Sequence, residues 1–198
     1  MKLKRFAVLL LSLLFLPVLS SCTYLRANLN WPHLESLLLP DNEDEIAATQ
    51  FRDIWGAIKT QDTEKLLEMF SPNVRREVPN LAEQADALFE LVHGEVVSRN
   101  DRDCMSSDAH YHGDGTSTKI LYSGYDITTS EYIYRFYIVS CYHDTADPDS
   151  VGLHSLFVMP IPVDQATWRI EIAYHGVYHE DGSYDPGITI DEYFAWKT

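Results

Sequence analysis

The stretch between residues 41 and 61 carries apolar side chains at the spacing of one helical face. These side chains are Ala47, Phe51, Ile54, Trp55 and Ile58. Asp41 or Asn42 can cap the start of a helix, and the acidic residues that follow suit the positive end of its dipole. The pattern therefore predicts a helix that buries one face.

Two further helices are predicted before residue 95. The first begins at Asp62 or Thr63 and stops at the Ser-Pro pair that follows, where the proline can start another turn. The second begins at Asn80, where Glu83 completes a capping-box pattern, and ends at Gly94. Both carry apolar residues that a sheet could cover.

Beyond Gly94, β-branched and aromatic residues occur in short runs between polar turns. The predicted strands are Glu95–Arg99, Thr118–Thr128, Glu131–Tyr142, Val151–Met159 and Thr167–His175. The run Glu131–Tyr142 is apolar on both faces, which indicates a central position in an antiparallel meander. In Thr167–His175 apolar and polar residues alternate, so only one of its faces is expected to be fully covered.

Helices followed by strands predict an α+β fold, in which N-terminal helices pack across a curved antiparallel sheet. We expect one domain covering residues 43–180. The segment 181–198 carries Ile188, Ile190, Phe194 and Trp196. A free tail would expose these apolar side chains, so we expect the segment to dock on the domain.

The N-terminus has the pattern of a bacterial lipoprotein signal peptide. A basic start precedes the apolar run Phe6–Val18, and the lipobox Leu19-Ser20-Ser21-Cys22 follows it. The apolar run is shorter than the roughly 20 residues of a membrane-spanning helix. We expect residues 1–21 to be removed, Cys22 to carry diacylglycerol and acyl chains, and residues 22–42 to form a tether. The alternative is an ordinary secretory signal that leaves Cys22 as a plain thiol.

Charge narrows the possible partners. The formal net charge is −15, and it becomes more negative once the three basic residues of the signal peptide are removed. An acidic surface argues against nucleic acid and against electrostatic adhesion to anionic lipid. The lipid on Cys22 would then hold the chain on the extracytoplasmic face of the cell membrane.

His110 and His112 form the most suggestive pair of metal ligands, with Asp108 and Asp114 beside them. Residues two apart on an extended segment face the same side, so two imidazoles and a carboxylate could meet a divalent cation. The Gly-, Asp- and Ser-rich surroundings favour a solvated hairpin loop, and no third ligand is fixed. We therefore predict loop histidines, no metal site and no cofactor.

Asp144, Asp147 and Asp149 suggest a calcium loop, but the glycine and terminal glutamate of an EF-hand are missing. Turn chemistry explains them better, because Pro148 fixes one φ angle and carboxylates solvate a strand connection. A functional role for His154 in a pocket is weighed against ordinary packing, which is favoured.

No catalytic residue is predicted elsewhere. His175 and His179 offer acid–base groups without an identifiable nucleophile, and no serine occupies a G-x-S-x-G elbow. Cys104 and Cys141 could form a disulfide in an oxidising compartment, or Cys141 could be a buried inert thiol.

Tyrosines are abundant in the predicted sheet and in the tail. They are Tyr122, Tyr125, Tyr132, Tyr134, Tyr137, Tyr142, Tyr178, Tyr184 and Tyr193. Their rings suit the faces of a sheet, and the same residue type is enriched where proteins or glycans dock.

Three blocks of the sequence resemble a known family. They are Phe51–Phe70 (FRDIWGAIKTQDTEKLLEMF), Ala87–Val97 (ALFELVHGEVV) and Asp147–Val158 (DPDSVGLHSLFV). In them the chain resembles a family of Gram-positive lipoproteins, Domain of Unknown Function 5104, over roughly Glu43 to Tyr178. The resemblance implies the nuclear-transport-factor-two-like, cystatin-like roll, and it brings no catalytic motif.

Two classes of function remain. The first is a membrane-anchored extracytoplasmic binding or interaction module that receives an envelope protein or a cell-wall ligand. The second is a small acid–base enzyme that uses a His–carboxylate pair in the cone of the roll. A deep cavity in which His154 or a Tyr–Asp pair converges would favour catalysis, and a filled cone would favour binding.

Overall fold

The computed structural model describes residues 42–101, 106–165 and 183–190. The α-helices in these ranges are α1 Glu43–Thr60, α2 Thr63–Met69, α3 Pro72–Glu77 and α4 Leu81–Leu91. The strands are β1 Val96–Asp101, β2 Ser106–Tyr111, β3 Ser117–Thr129, β4 Tyr132–Asp144, β5 Gly152–Pro162 and β6 Gly187–Ile190. Helices precede a six-stranded sheet, so the predicted α+β fold is confirmed.

The α1 helix forms where the apolar stripe predicts it. Four stripe residues, Ala47, Phe51, Ile54 and Ile58, are buried. Trp55 is partly buried against the same core. Asn42 occupies the N-cap position, but its side-chain amide donates to Glu45 instead of capping the backbone. None of the helices in the described ranges has both the length and the apolar content needed to cross a membrane.

Side-chain caps set the starts of the next two helices. The Asp62 carboxylate accepts a hydrogen bond from the Lys65 amide at 3.0 Å, as the sequence predicts for α2. The Ser71 hydroxyl accepts one from the Val74 amide at 3.3 Å. Pro72 then occupies the first position of α3, where its missing amide proton costs nothing.

Asn80 is the N-cap of α4 as predicted, but the capping-box bonds and the end at Gly94 are wrong. Asn80 is the N-cap residue but makes no side-chain hydrogen bond to the helix. The helix ends at Leu91, before Gly94. The Tyr134 hydroxyl donates to the Leu91 carbonyl oxygen at 3.0 Å and accepts from the His93 amide at 3.3 Å. A side chain from the sheet thus satisfies the helix end in place of a glycine cap.

The sheet is centred on β4, as predicted from its two apolar faces. The strand order is β1-β3-β4-β5-β6, and β2 also pairs with β3. The antiparallel meander holds for β3, β4 and β5, whereas β6 runs parallel to β5. The strand β6 belongs to the segment 181–198, which was expected to dock on the domain. Among the described residues it forms an edge strand of the sheet.

The prediction that His110 lies in a loop is wrong. His110 belongs to β2 and pairs with Thr118, whereas His112 lies in the turn that follows. The β1 and β2 strands share one edge of β3, since Asp101 pairs with Tyr125 and Ser106 with Tyr122. Because β3 supplies the hydrogen bonds, a fully exposed polar segment can still form an edge strand.

Side chains fill the space between the helices and the sheet. The Phe51 ring stacks on Tyr125 with a centroid separation of 4.0 Å and meets Phe136 edge-on at 5.4 Å. Leu66, Leu88 and many neighbours complete this continuous core. In the described residues the face of the sheet toward the helices is therefore packed.

The other face of the sheet holds a second cluster. It consists of buried Phe157, Met159 and Ile161, with Ile133, Tyr137 and Tyr184 packed against them. Beside it, Arg135 donates two hydrogen bonds of 3.0 Å to the Asp126 carboxylate. This buried pair matches a planar guanidinium to a carboxylate and links β3 to β4.

Several predicted features lie outside the described residues. They are Cys22 with the signal peptide and tether, Cys104, the strand Thr167–His175, Tyr178, His179 and the segment 191–198.

Candidate functional site

A cavity of about 350 Å³ opens where α3 meets the start of β5. We call it the α3/β5 cleft. Glu77 of α3, Tyr122 of β3, and Cys141 and Asp144 of β4 line it together with His154 of β5. Tyr184, which precedes β6, closes one side. A volume of this size lies within the usual range of roughly 300–1,000 Å³ for ligand pockets.

Two irregularities in strand pairing shape this region. Val139 pairs with Ser155 but Ser140 pairs with Leu153, which leaves His154 without a cross-strand partner. Between β3 and β4 the residue left over is Tyr142. Such bulges bend a strand and re-aim side chains, and they are enriched next to functional sites. His154 therefore reaches the cleft because of a register shift.

The backbone holds α3 close to β5. The Ser71 amide donates to the Leu153 carbonyl oxygen at 2.9 Å. Gly152 has φ +133°, and a Cβ atom there would lie 2.8 Å from the Ser71 nitrogen. Both the backbone conformation and the close approach require glycine.

Asp144 starts the connection between β4 and β5. Its carboxylate accepts hydrogen bonds of 2.8 Å from the amides of Ala146 and Asp147, and one of 2.9 Å from the Thr118 hydroxyl. These donors, the Asp147 amide first, hold the pKa of Asp144 below its usual value. Asp144 therefore stays ionised and closes the turn.

The next two aspartates tie the connection to α3. Asp147 accepts from the Asn73 side chain at 2.8 Å and from the Ser150 hydroxyl at 2.7 Å. Asp149 pairs with Arg76 at 2.8 Å. The three carboxylates thus serve turn chemistry, as the sequence favours over a calcium loop. Within the described ranges, no cluster of three His, Cys, Asp or Glu side chains is arranged to hold a metal ion.

His154 is half-buried and held in one orientation. Its Nε2 atom lies 3.0 Å from the carbonyl oxygen of Tyr184. A carbonyl oxygen can only accept, so Nε2 carries a proton, and in the neutral imidazole Nδ1 then keeps its lone pair. Nδ1 has no hydrogen-bond partner among the residues that the structure describes.

The tyrosines divide between the two faces of the sheet. Tyr125 and Tyr134 are buried in the core. The Tyr184 ring lies 5.7 Å from that of Tyr122 and 6.2 Å from that of Tyr137, between centroids. Packing thus explains Tyr125 and Tyr134, whereas Tyr122 and Tyr184 form an aromatic wall of the cleft.

Cys141 also lines the cleft. It carries a free thiol that donates to the His143 carbonyl oxygen at 3.4 Å, and burial raises its pKa. Cys104 lies outside the described residues, so the disulfide stays a prediction. Asp101 and Ser106, the described residues that flank the segment containing Cys104, pair with β3 on the edge opposite β4.

Sequence reasoning weighed His154 for a pocket and missed Glu77 and Tyr184 as its neighbours. The Asp147–Val158 block was a usable signal, because it contains the 3₁₀ turn, Gly152 and the bulge. His110, His112 and Asp108 do not line the cleft.

The family described as domain of unknown function (DUF5104) matches residues 53–162. The match runs from α1 to the end of β5 and includes the cleft apart from its Ser183–Tyr184 side. No curated protein matches the chain.

Proposed function

Because this chain belongs to the DUF5104 family, whose description assigns no activity, we propose its function from the sequence and the cleft. In this proposal the protein is a lipoprotein anchored through Cys22 on the extracytoplasmic face of the cell membrane. Its domain, a roll of the nuclear-transport-factor-two-like kind, is a binding module that receives its ligand in the α3/β5 cleft.

The anchor is supported by the order of basic start, apolar run and lipobox ending at Cys22. The acidic chain gains little from anionic lipid headgroups, so a covalent lipid suits it. The order of helices and sheet is compatible with the roll that the three sequence blocks suggest.

The binding role rests on one observation, the hydrogen bond between His154 and a main-chain carbonyl. General acid–base catalysis commonly relies on a histidine that a carboxylate orients and stabilises when charged. Of the two carboxylates that line the cleft, Asp144 is occupied by turn donors, and Glu77 makes no hydrogen bond or ion pair with His154 among the described residues. Among the described residues, the histidine–carboxylate contact is His93 with Glu131 at 3.6 Å, and neither residue lines the cleft.

The anchor is tested on native chain extracted with detergent from its host. Mass spectrometry of the N-terminal peptide should show Cys22 carrying diacylglycerol and acyl chains. A Cys22→Ala variant should lose the lipid and its partition into detergent. An unmodified mature N-terminus in a host that processes lipoproteins would contradict the anchor.

The binding role is tested by incubating the full chain in detergent with small molecules extracted from the host envelope. Native mass spectrometry should detect a bound molecule of unchanged mass. Ser183 lies at the cleft and is exposed, so Ser183→Trp should obstruct the cleft and abolish the complex. Conversion of the molecule to a product would favour the acid–base enzyme.

A further inference from the structure

The described residues that line the α3/β5 cleft carry negative charge and no positive charge. Glu77 and Asp144 line it, and no Lys or Arg is among the described residues that do so. The guanidinium of Arg76, the residue before Glu77 in α3, is paired with Asp149. An anionic ligand would therefore be repelled from the cleft.

The free polar atoms of the cleft are hydrogen-bond acceptors. The Glu77 carboxylate makes no hydrogen bond within the described residues. In the neutral imidazole of His154, Nδ1 offers a lone pair, because Nε2 donates to the Tyr184 carbonyl oxygen. A ligand that fits here supplies donors, and a charged donor forms the stronger bonds.

The remaining walls are apolar and aromatic. Val74, Ile120 and Val139 contribute aliphatic surface. The rings of Tyr122 and Tyr184, 5.7 Å apart between centroids, add aromatic surface to the same cavity. Aromatic rings attract cations through their quadrupole, and aliphatic walls accept a hydrocarbon chain.

We propose that the α3/β5 cleft binds a small organic cation, an ammonium group carried on a short apolar chain. Glu77 and His154 accept from the ammonium group, the two tyrosine rings face it, and the aliphatic wall covers the chain. A neutral sugar would satisfy the acceptors but would gain nothing from the two negative charges. This inference rests on the proposed binding role and specifies its ligand class.

The test is calorimetric titration of the full chain in detergent micelles. The probes are pentylamine and butylamine, with pentanol, pentanoate and N-acetylglucosamine as neutral and anionic comparisons. Both amines should bind at least about tenfold more tightly than the others, since one charge-assisted hydrogen bond is worth ~1.5–3 kcal/mol. High salt should weaken the amine complexes.

Glu77→Gln should weaken amine binding about tenfold. Glu68→Gln is the matched control, because Glu68 is an exposed carboxylate near the end of α2 and does not line the cleft. The Glu68→Gln variant should bind amines as tightly as the unaltered chain. Ser183→Trp should abolish amine binding, which is a larger loss than the tenfold weakening expected for Glu77→Gln.

Two outcomes overturn the inference. If the sugar or pentanoate binds better and Ser183→Trp abolishes that binding, the binding role stands and the cationic ligand is wrong. The cleft is not a cation site if no amine binds. The same follows if amines bind the Glu77→Gln and Ser183→Trp variants as tightly as they bind the unaltered chain.

Discussion

Two aspartate-containing turns lie side by side at one end of the sheet, and they differ in what their carboxylates hold. The β2–β3 turn, residues 112–116, precedes β3, and the β4–β5 connection, residues 145–151, follows β4. Thr118 of β3 pairs with Asp144 of β4, so the two turns are neighbours. In sequence both are short polar segments rich in turn-forming residues.

The two turns differ in how far along the chain the hydrogen bonds of their carboxylates reach. In the β2–β3 turn, Asp114 accepts from the amide and hydroxyl of Thr116, at 3.0 and 2.7 Å. In the β4–β5 connection, Asp147 and Asp149 reach Asn73 and Arg76 in α3. Local bonds close a turn, whereas long-range bonds fix a helix against the sheet and so form a cleft. Composition alone does not distinguish the two cases.

Gly152→Ala should produce the largest effect. It combines a φ of +133° with a Cβ 2.8 Å from the Ser71 nitrogen, so we expect a loss of about 3 kcal/mol of unfolding free energy. Chemical denaturation measures it. Gly152 is the first residue of β5, directly after the β4–β5 connection. In the β2–β3 turn, Gly113→Ala meets nothing within 4 Å and should change stability by less than ~0.5 kcal/mol. Equal effects of the two substitutions would remove the structural distinction between the turns.

Asn73→Ala should have the next largest effect. The Asn73 side chain donates to Asp147 at 2.8 Å and to Ser150 at 3.1 Å. Its loss should cost ~1–2 kcal/mol of unfolding free energy and weaken ligand binding in the cleft. Thr116→Ala, which removes a bond within the β2–β3 turn, is the control and should leave cleft binding unchanged. A Thr116 variant that impaired binding equally would show that the turns are coupled.

Acid should weaken both turns. Hydrogen bonds from Thr116 lower the pKa of Asp114, and those from Ser150 and Asn73 lower that of Asp147. A lowered folded pKa stabilises the fold above the unfolded value of about 3.9, and this stability is lost as the pH falls through the folded pKa. Denaturation at about pH 5 and about pH 3 should show the loss.

Asp147→Asn should flatten this pH dependence, because the variant has no carboxylate to protonate at that position. It should also lower the midpoint at neutral pH more than Asp114→Asn does, since Asp147 bonds to a second element. An unchanged pH slope in both variants would contradict the assignment of acid sensitivity to these turns.

Local periodicity predicts much of the fold. The stripe of α1 and the two-sided apolar character of β4 each depend on residues close in sequence, and both elements form as expected. The end of α4 depends on Tyr134, 43 positions from Leu91. No local signal at Gly94 reports such a partner, so the predicted cap was wrong.

The cleft was less predictable for the same reason. Ordinary packing was favoured for His154 over a place in a pocket, because its position in the cleft depends on the pairing of Val139 with Ser155 and of Ser140 with Leu153. Likewise every residue of β2 is exposed, so no buried face predicts this strand. It forms because its backbone pairs with the edge of β3. Strand register is a long-range property, and hydrophobic pattern fixes it only where one face is buried.

The smallest effect is expected from a His110→Ala, His112→Ala double substitution in the β2–β3 hairpin. His110 lies on an exposed edge strand, and His112 uses its backbone, not its ring, to close the turn with Thr116 at 2.9 Å. Zinc sites in proteins need three or four ligands, and no cluster of three forms in the described ranges. Unfolding free energy should therefore change by less than ~0.5 kcal/mol, and calorimetry should find the same weak zinc binding with and without the two imidazoles. Micromolar zinc affinity that disappears in the double variant would make this turn a metal site and reverse the comparison, since the β2–β3 turn would then hold a ligand.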